Sequence, residues 1–337
     1  MVVELITRRD LEEARALLAA CELDFDPDYE NLLGIYEGKR LAAVGGRAGY
    51  LLKMIAVAEE FRNGLLLDEL LTELIQLGSS AGYDSFAVVT KPGNGPLFSS
   101  YNFTLLAQHP QAVLMEYGGG LQHYLQAHRN LIREGNNGAV VVNCNPFTLG
   151  HRYLIETAAS QVDWLYVFVV REDRSVFPFD VRYRLVRDGV VDLKNVLLLD
   201  SSHYAVSSLT FPTYFLRDAD TRAEVQMSLD LELFATHLAP FFHIKKRFLG
   251  TEPYCRTTRN YSAMMTELLP QWGVEAVVIP RRQNGDQVIS AYRVRQAMRR
   301  EAYEEVRRLV PPTTLEYLLS AEGEPLRHKL QTYSGRH

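Results

Sequence analysis

A chain of 337 residues in which 36 basic side chains are outnumbered by 41 acidic ones, for a formal charge of −5, is not built to coat nucleic acid, and its length suits two cores better than one. The three cysteines, Cys21, Cys144 and Cys255, are too few and too far apart for a disulfide framework or a zinc knuckle, and no apolar run approaches the ~20 residues that span a bilayer. The segment from Met1 to Asp10 lacks the order of a signal peptide, so the expectation is a cytoplasmic protein with no nucleic-acid partner and no membrane.

Asp10 to Cys21 carries apolar residues at helical spacing behind an acidic start, and Leu32 to Tyr36 and Leu41 to Gly45 read as the strands of a hairpin. Leu51 to Val57 reads as a third strand, Leu65 to Leu77 as a helix and Ser85 to Val89 as a further strand. A strand feeding the glycine-containing turn Phe61-Arg62-Asn63-Gly64-Leu65-Leu66 and then a helix resembles the acetyltransferase fold of the GNAT superfamily. Those enzymes set the pyrophosphate of coenzyme A on the backbone N–H groups of such a turn. Leu97 to Phe103 resembles a later element of the same fold, with Asn102 where left-handed backbone favours glycine. The turn departs from the Q/R-x-x-G-x-G/A pattern, because Gly64 stands alone and Leu66 falls where the second small residue belongs. Two readings follow: a turn kept for packing, or a dock for a pantetheine-like arm carried by a protein partner.

Gly118-Gly119-Gly120 closes this half, and Leu121 to Arg133 reads as a helix leading to Gly135-Asn136-Asn137-Gly138. The expected organisation is a GNAT-like α+β domain over 1–120, a linker helix over 121–137 and a second domain over 138–325. In that second domain strands at Ala139 to Val142, Leu165 to Val170, Val196 to Leu199, Lys246 to Leu249 and Glu275 to Ile279 alternate with helices at Tyr153 to Gln161, Val181 to Val191, Met227 to Leu238 and Tyr261 to Leu269. Near-continuous apolar strands separated by helices predict a parallel, Rossmann-like α/β sheet covered on both faces, with ligands at the carboxyl ends of the strands.

After the valines at 140–142, Asn143-Cys144-Asn145-Pro146-Phe147-Thr148 reads as a turn and Gly150-His151 as the start of a helix whose first N–H groups can receive an anion. Asn143 and Asn145 either order the turn or contact substrate. T-x-G-H behind a buried strand resembles the signature of the HIGH-type nucleotidyltransferases. The resemblance implies that Gly150 lets a nucleotide lie close to the backbone, and that His151, helped by Thr148, contacts phosphates during attack on the α-phosphorus. Phe147 is counted with Asn143, Asn145 and Gly150 among the nucleotide-binding positions.

Dense charge from Arg171 to Arg182 begins at the carboxyl end of a predicted strand and so points into the ligand crevice. Arg171 and Arg182 are the candidates for anion binding there, while Asp180 can equally start the next helix. Gly250-Thr251-Glu252 offers backbone and hydroxyl donors beside an acidic acceptor, suited to a ribose or an adenine edge, and Arg256 can reach phosphate; a loop stiffened by Pro253 is the alternative. In Ile289-Ser290-Ala291-Tyr292-Arg293-Val294-Arg295, Ser290 is a natural N-cap and the arginines ride the first turns of a helix. The run resembles the I-S-x-x-x-V-R element with which the HIGH superfamily closes over the triphosphate. That resemblance implies that Ser290 and Arg295 bind phosphate and that Ile289 belongs to the nucleotide site.

N-x-N-P-F-T-x-G-H-R-Y-L-I from Asn143, R-E-D-x-S-x-F-P from Arg171, F-P-x-Y-F at Phe211 to Phe215, G-T-E-P-Y-C-R from Gly250 and I-S-A-x-R-V-R from Ile289 together closely resemble the citrate (pro-3S)-lyase ligase family, over nearly the whole chain. Tyr292 departs from it, standing where the family has serine. The resemblance implies an acid–thiol ligase that spends ATP and acetate to acetylate the coenzyme-A-derived prosthetic thiol on the acyl carrier subunit of citrate lyase. Acetyl-AMP is the implied intermediate, with AMP and pyrophosphate released. Mg²⁺ would screen the triphosphate, held by substrate oxygens because no residue cluster spells a metal cage. Two other readings use parts of the same pattern: an adenylyltransferase acting on a phosphorylated small molecule, and a non-catalytic acyl-carrier docking module with a vestigial nucleotide pocket.

Overall fold

The structure of the chain is a computed structural model and describes residues 1–62, 64–171, 175–205, 219–251, 256–284 and 287–332. Among these residues one compact unit holds Met1–Gln126 together with residues 219–229, and a second holds the rest. No helix among them is long and apolar enough to cross a membrane.

The first unit runs β1 (Val2–Glu4), α1 (Arg8–Ala20), β2 (Asn31–Glu37), β3 (Arg40–Ala48), β4 (Leu51–Val57), α2 (Leu66–Ser80), β5 (Phe86–Thr90), α3 (Gly95–Ser100), β6 (Thr104–His109) and β7 (Ala112–Tyr117). These strands form one mixed sheet in the order β1-β2-β3-β4-β5-β7-β6. Thr7 starts α1 with a capping box, its side chain accepting from the Asp10 N–H while Asp10 reaches back to Thr7. Leu66, Leu70, Leu71 and Leu74 put one buried stripe of α2 on the sheet. Asn102 takes φ +63°, the left-handed backbone expected of it. Strand β1 and the hairpin β6-β7 had no counterpart in the periodicity: β1 is three residues long, and polar Gln108 and His109 blur the alternation of β6.

β4 and β5 are the parallel pair of this sheet, and their register covers only Leu51 opposite Ala87 and Leu52 opposite Val88. Past those residues the two strands part. The gap becomes a cavity, described below.

Helix α4 (Gly120–Ala127) is shorter than the helix expected over Leu121 to Arg133, and the first unit runs to Gln126, past the expected limit at Gly120. Then come β8 (Asn137–Val142), α5 (Leu149–Ala159), β9 (Trp164–Val169), α6 (Phe179–Gly189), β10 (Val196–Asp200) and α7 (Ala219–Leu233). α7 continues through a π turn, Phe234–Leu238, into α8 (Ala239–Phe241). The chain ends in β11 (Ile244–Gly250), α9 (Arg256–Leu268), β12 (Glu275–Ile279), the short hairpin β13 (Gln283–Asn284) and β14 (Gln287–Val288), and helices α10 (Ala291–Arg299), α11 (Tyr303–Arg307), α12 (Pro312–Leu319) and α13 (Glu324–Thr332).

The main sheet of this unit has the order β10-β9-β8-β11-β12, with every neighbouring pair parallel. This is the Rossmann-like α/β architecture the alternation predicted. Val140, Val142, Leu165, Val167 and Val169 pack with Ile155 of α5 and Leu185 and Val186 of α6 in one buried cluster, which is why the strands read as unbroken apolar runs. Strand order reverses at β8: the chain first steps outward to β9 and β10, then returns to the other side with β11 and β12. Such a reversal opens a crevice at the carboxyl ends of the central strands. The turn after β8 lies at that point.

Candidate functional site

Past Val142 the chain turns through Asn143 to Thr148 into α5. Thr148 is the N-cap, extended at φ −126° and ψ 166°, and its Oγ accepts from the His151 N–H at 3.3 Å. A cap of this kind is worth about 1 kcal/mol and satisfies one of the otherwise unpaired amides of the first turn. His151 answers it: Nδ1 accepts from the Thr148 N–H at 3.1 Å and lies 3.0 Å from Thr148 Oγ. With Nδ1 accepting an amide proton, the neutral ring carries its own proton on Nε2, which is left as the donor toward a ligand. Burial, and after it the positive charge of Arg281, pull the His151 pKa down to about 4. The ring is therefore neutral near pH 7.

Phe147 stacks parallel to the His151 ring at 6.1 Å, with 15° between the planes, and is fully buried. Gly189 makes room for it, since a Cβ there would stand 2.3 Å from the Phe147 ring. Phe147 thus orients the histidine from behind; burial in the core removes it from the nucleotide-contacting positions where the sequence put it.

Helix α10 begins against the same turn. Ser290 caps it, with φ −141° and ψ 151°, its Oγ accepting from the Arg293 N–H at 3.3 Å. A Cβ on Gly150 would approach the Ile289 carbonyl oxygen to 3.1 Å. The glycine expected to admit a nucleotide instead admits the Ile289 backbone, and the Ile289 side chain is buried with Val176 and Phe177. Arg295, only 4% exposed, donates from Nη1 to the Asn145 carbonyl at 2.5 Å, across 150 residues of sequence. Asn145 Oδ1 accepts from the Phe177 N–H at 3.1 Å. Thr148, Gly150, His151, Ile289, Ser290 and Arg295 are thereby brought to one place.

Other candidates have structural partners. The Asn143 amide and Ser175 Oγ exchange hydrogen bonds at 3.2 and 3.3 Å. Arg182 corrects the expectation that it binds an anion: it is completely buried, donating from Nε to the Phe177 carbonyl at 3.0 Å and from Nη1 to the carbonyls of Asn143 and Val170 at 2.8 Å. Carbonyl oxygens at the ends of β8 and β9 attract the guanidinium as a phosphate would, and they lie beside it. Arg171 donates to the Asp200 carboxylate at 2.9 Å and lies 4.2 Å over the Phe179 ring, so its charge is offset within the protein and it joins β9 to β10. Asp180 falls in the first turn of α6, the helix-start reading. Thr251 donates its N–H to the Ile279 carbonyl at 3.0 Å, and its Oγ accepts from the Arg281 N–H at 3.1 Å. Glu252, residues 172–174, Asn63, Phe211 to Phe215 and the side chain of Arg256 lie outside the described residues.

Arg281 was missed in the sequence, although Pro280-Arg281-Arg282 follows a strand, β12, as directly as Arg171 follows β9. The same rule applied to both.

In the first unit, the gap between β4 and β5 is a cavity of about 570 Å³ whose lining includes Cys21, Val57, Arg62, Gly64, Lys91 and Tyr101. Arg62 Nε donates to the Val57 carbonyl at 3.3 Å, and Lys91 pairs with Glu22 at 3.0 Å. Gly64 has space around it, the nearest atom to a Cβ there being the Phe61 carbonyl oxygen at 3.4 Å.

Residues 137–318 match the family model of the citrate lyase ligase C-terminal domain. A citrate (pro-3S)-lyase ligase of Klebsiella pneumoniae is 39% identical to this chain over 335 residues, 95% of this chain and 94% of its own. One of the same name from Escherichia coli strain K12 is 35% identical, over 92% of this chain and 90% of its own. Among solved structures, Thermotoga maritima TmcAL bound with alpha-thio ATP aligns with a TM-score of 0.39 and 15% identity, over 57% of each chain.

Proposed function

The chain belongs to the citrate (pro-3S)-lyase ligase family and is an enzyme, and on that premise we propose that it activates citrate lyase by acetylating the prosthetic-group thiol of the acyl carrier subunit, through acetyl-AMP. An acetate oxygen attacks the α-phosphorus of ATP, the bond to the β-phosphate oxygen breaks and pyrophosphate leaves. The carrier thiol then attacks the acetyl carbonyl, gives up its proton, and AMP departs with the former acetate oxygen.

The observation that carries the reading is the joining of two distant motifs at one helix start, with Ile289 packed on Gly150 and Arg295 bonded to the Asn145 carbonyl. Neutral His151 donates from Nε2 to a phosphate oxygen at the positive end of the α5 dipole; the Leu149 and His151 amides, which the sequence offered to an anion, are taken by the Leu309 carbonyl at 2.9 Å and by Thr148 Oγ. Donors held in place before the substrate arrives favour the charge that spreads toward pyrophosphate in the transition state. No protein nucleophile is required; positioning suffices. Ser290 and Arg295 hold the second helix over the phosphates. Mg²⁺ would accompany the triphosphate and screen its charge.

The carrier's arm is long and amide-bearing, and the cavity between β4 and β5 has the volume and the parted strand edges to take it, with Arg62 and Gly64 beside its phosphates. Incubation with ATP and labelled acetate, with and without deacetylated citrate lyase, tests the whole reading. Label should appear as acetyl-AMP in both and as acetyl-protein only with citrate lyase. AMP transfer to a phosphorylated small molecule would favour the adenylyltransferase instead, and absence of any ATP turnover would favour a docking module.

A further inference from the structure

We infer that Arg281 contacts the phosphates of the bound nucleotide, reaching them from the β12 side of the crevice; the inference rests on the reading of this site as one for ATP. The Arg281 N–H is held by Thr251 Oγ at 3.1 Å, which sets where the side chain starts. A Cβ on Gly250 would meet Arg281 Cγ at 3.6 Å and Nε at 3.9 Å, so the side chain runs across the end of β11 over a residue with no side chain to obstruct it. β11 lies between β12 and β8. An arginine that leaves β12 and crosses the end of β11 is directed toward the end of β8, where the turn leads to His151.

His151 registers that proximity, because the charge of Arg281 adds to burial in keeping its ring neutral. The chemistry calls for such a group. A neutral imidazole donates one hydrogen bond and supplies no charge, while a triphosphate carries several negative charges and is matched by a planar guanidinium fork.

Titration calorimetry with ATP on the full chain, comparing wild type with Arg281→Gln and Arg281→Lys, tests the inference. Loss of a charged hydrogen bond should weaken ATP binding roughly 10- to 100-fold in the Gln variant. Lysine should restore part of that, and the salt dependence of binding should be shallower for Gln than for wild type. Melting temperatures of both variants should stay close to wild type. ATP affinity unchanged in Arg281→Gln would overturn this inference alone, and equal losses in the Gln and Lys variants would show a structural role instead of phosphate contact. Wild-type protein that fails to bind ATP would overturn the nucleotide reading and this inference with it.

Discussion

Around the start of α5, polar groups are already engaged with one another: Thr148 with His151, Arg295 with Asn145, Asn145 with Phe177. The cavity between β4 and β5 is the reverse, about 570 Å³ of space between parted strands, with the arginine of its turn donating to the Val57 carbonyl and to Cys21 Sγ. A network in place before a ligand binds suits a compact, charged substrate whose reacting atoms must be held to fractions of an ångström. An open gap suits a long, flexible one. If the two regions divide the reaction in this way, damage to the first slows adenylate formation and damage to the second slows only the transfer to protein.

His151→Ala should give the largest effect, a fall in acetate-dependent AMP formation on the order of 10²-fold or more, the scale of losing one preorganised donor. The fold should survive, which circular dichroism would check. A folded variant with wild-type acetate activation removes His151 from the chemistry.

Arg295→Ala should cut both activity and stability. It leaves the Asn145 carbonyl without that donor, at about 1–3 kcal/mol, and it frees α10 from the turn after β8. Denaturant melts and pyrophosphate-driven ATP synthesis from acetyl-AMP should fall together; full exchange activity in a destabilised variant would show that the arginine is purely structural.

Gly64→Asp addresses the other region. A carboxylate there repels the phosphates of an arm lying along the turn, and the spare room around Gly64 means the fold tolerates it. Single-turnover measurement should show acetyl transfer to citrate lyase slowed about tenfold or more while acetyl-AMP still forms, since like charges in contact cost several kcal/mol. A transfer step at wild-type speed would retire the docking of the arm in this cavity.

The smallest effect is on acid stability. The unfolded histidine titrates near 6.5 and the folded His151 near 4, so between those values the unfolded chain binds more protons. Stability contributed by the neutral ring is present above about pH 6.5 and is lost as pH falls toward 4. Wild type should lose more melting temperature between pH 7 and pH 5 than His151→Gln does; parallel losses would mean the ring titrates normally.

What the sequence made legible is what local chemistry controls. Val140 to Val142 read as a buried strand because β8 is covered on both faces, and Thr148 and Ser290 read as helix starts because a side-chain oxygen one turn ahead of a run is what an N-cap needs. Arg182 misled because a charge at a strand end looks the same whether it meets ligand or carbonyl; which one depends on β8, β9 and α6 converging, a tertiary fact. Gly150 and Phe147 differ in what was legible: close approach to the backbone was read at Gly150, where the approaching group is Ile289, whereas nothing local shows that Phe147 is buried against Gly189. Arg281 was legible by the same strand-end rule as Arg171 and was passed over; that its side chain crosses Gly250 is a tertiary fact the sequence does not carry. Helices α11 to α13 lacked a motif, and they matter by packing against α10.

The central claim, that the start of α5 and the Ser290 helix form one site where acetate is activated, is met most directly by isotope exchange between labelled pyrophosphate and ATP in the absence of citrate lyase. The account predicts exchange that requires acetate and that falls on the order of 10²-fold in His151→Ala. Exchange that proceeds without acetate, or that is undiminished in His151→Ala, would contradict it.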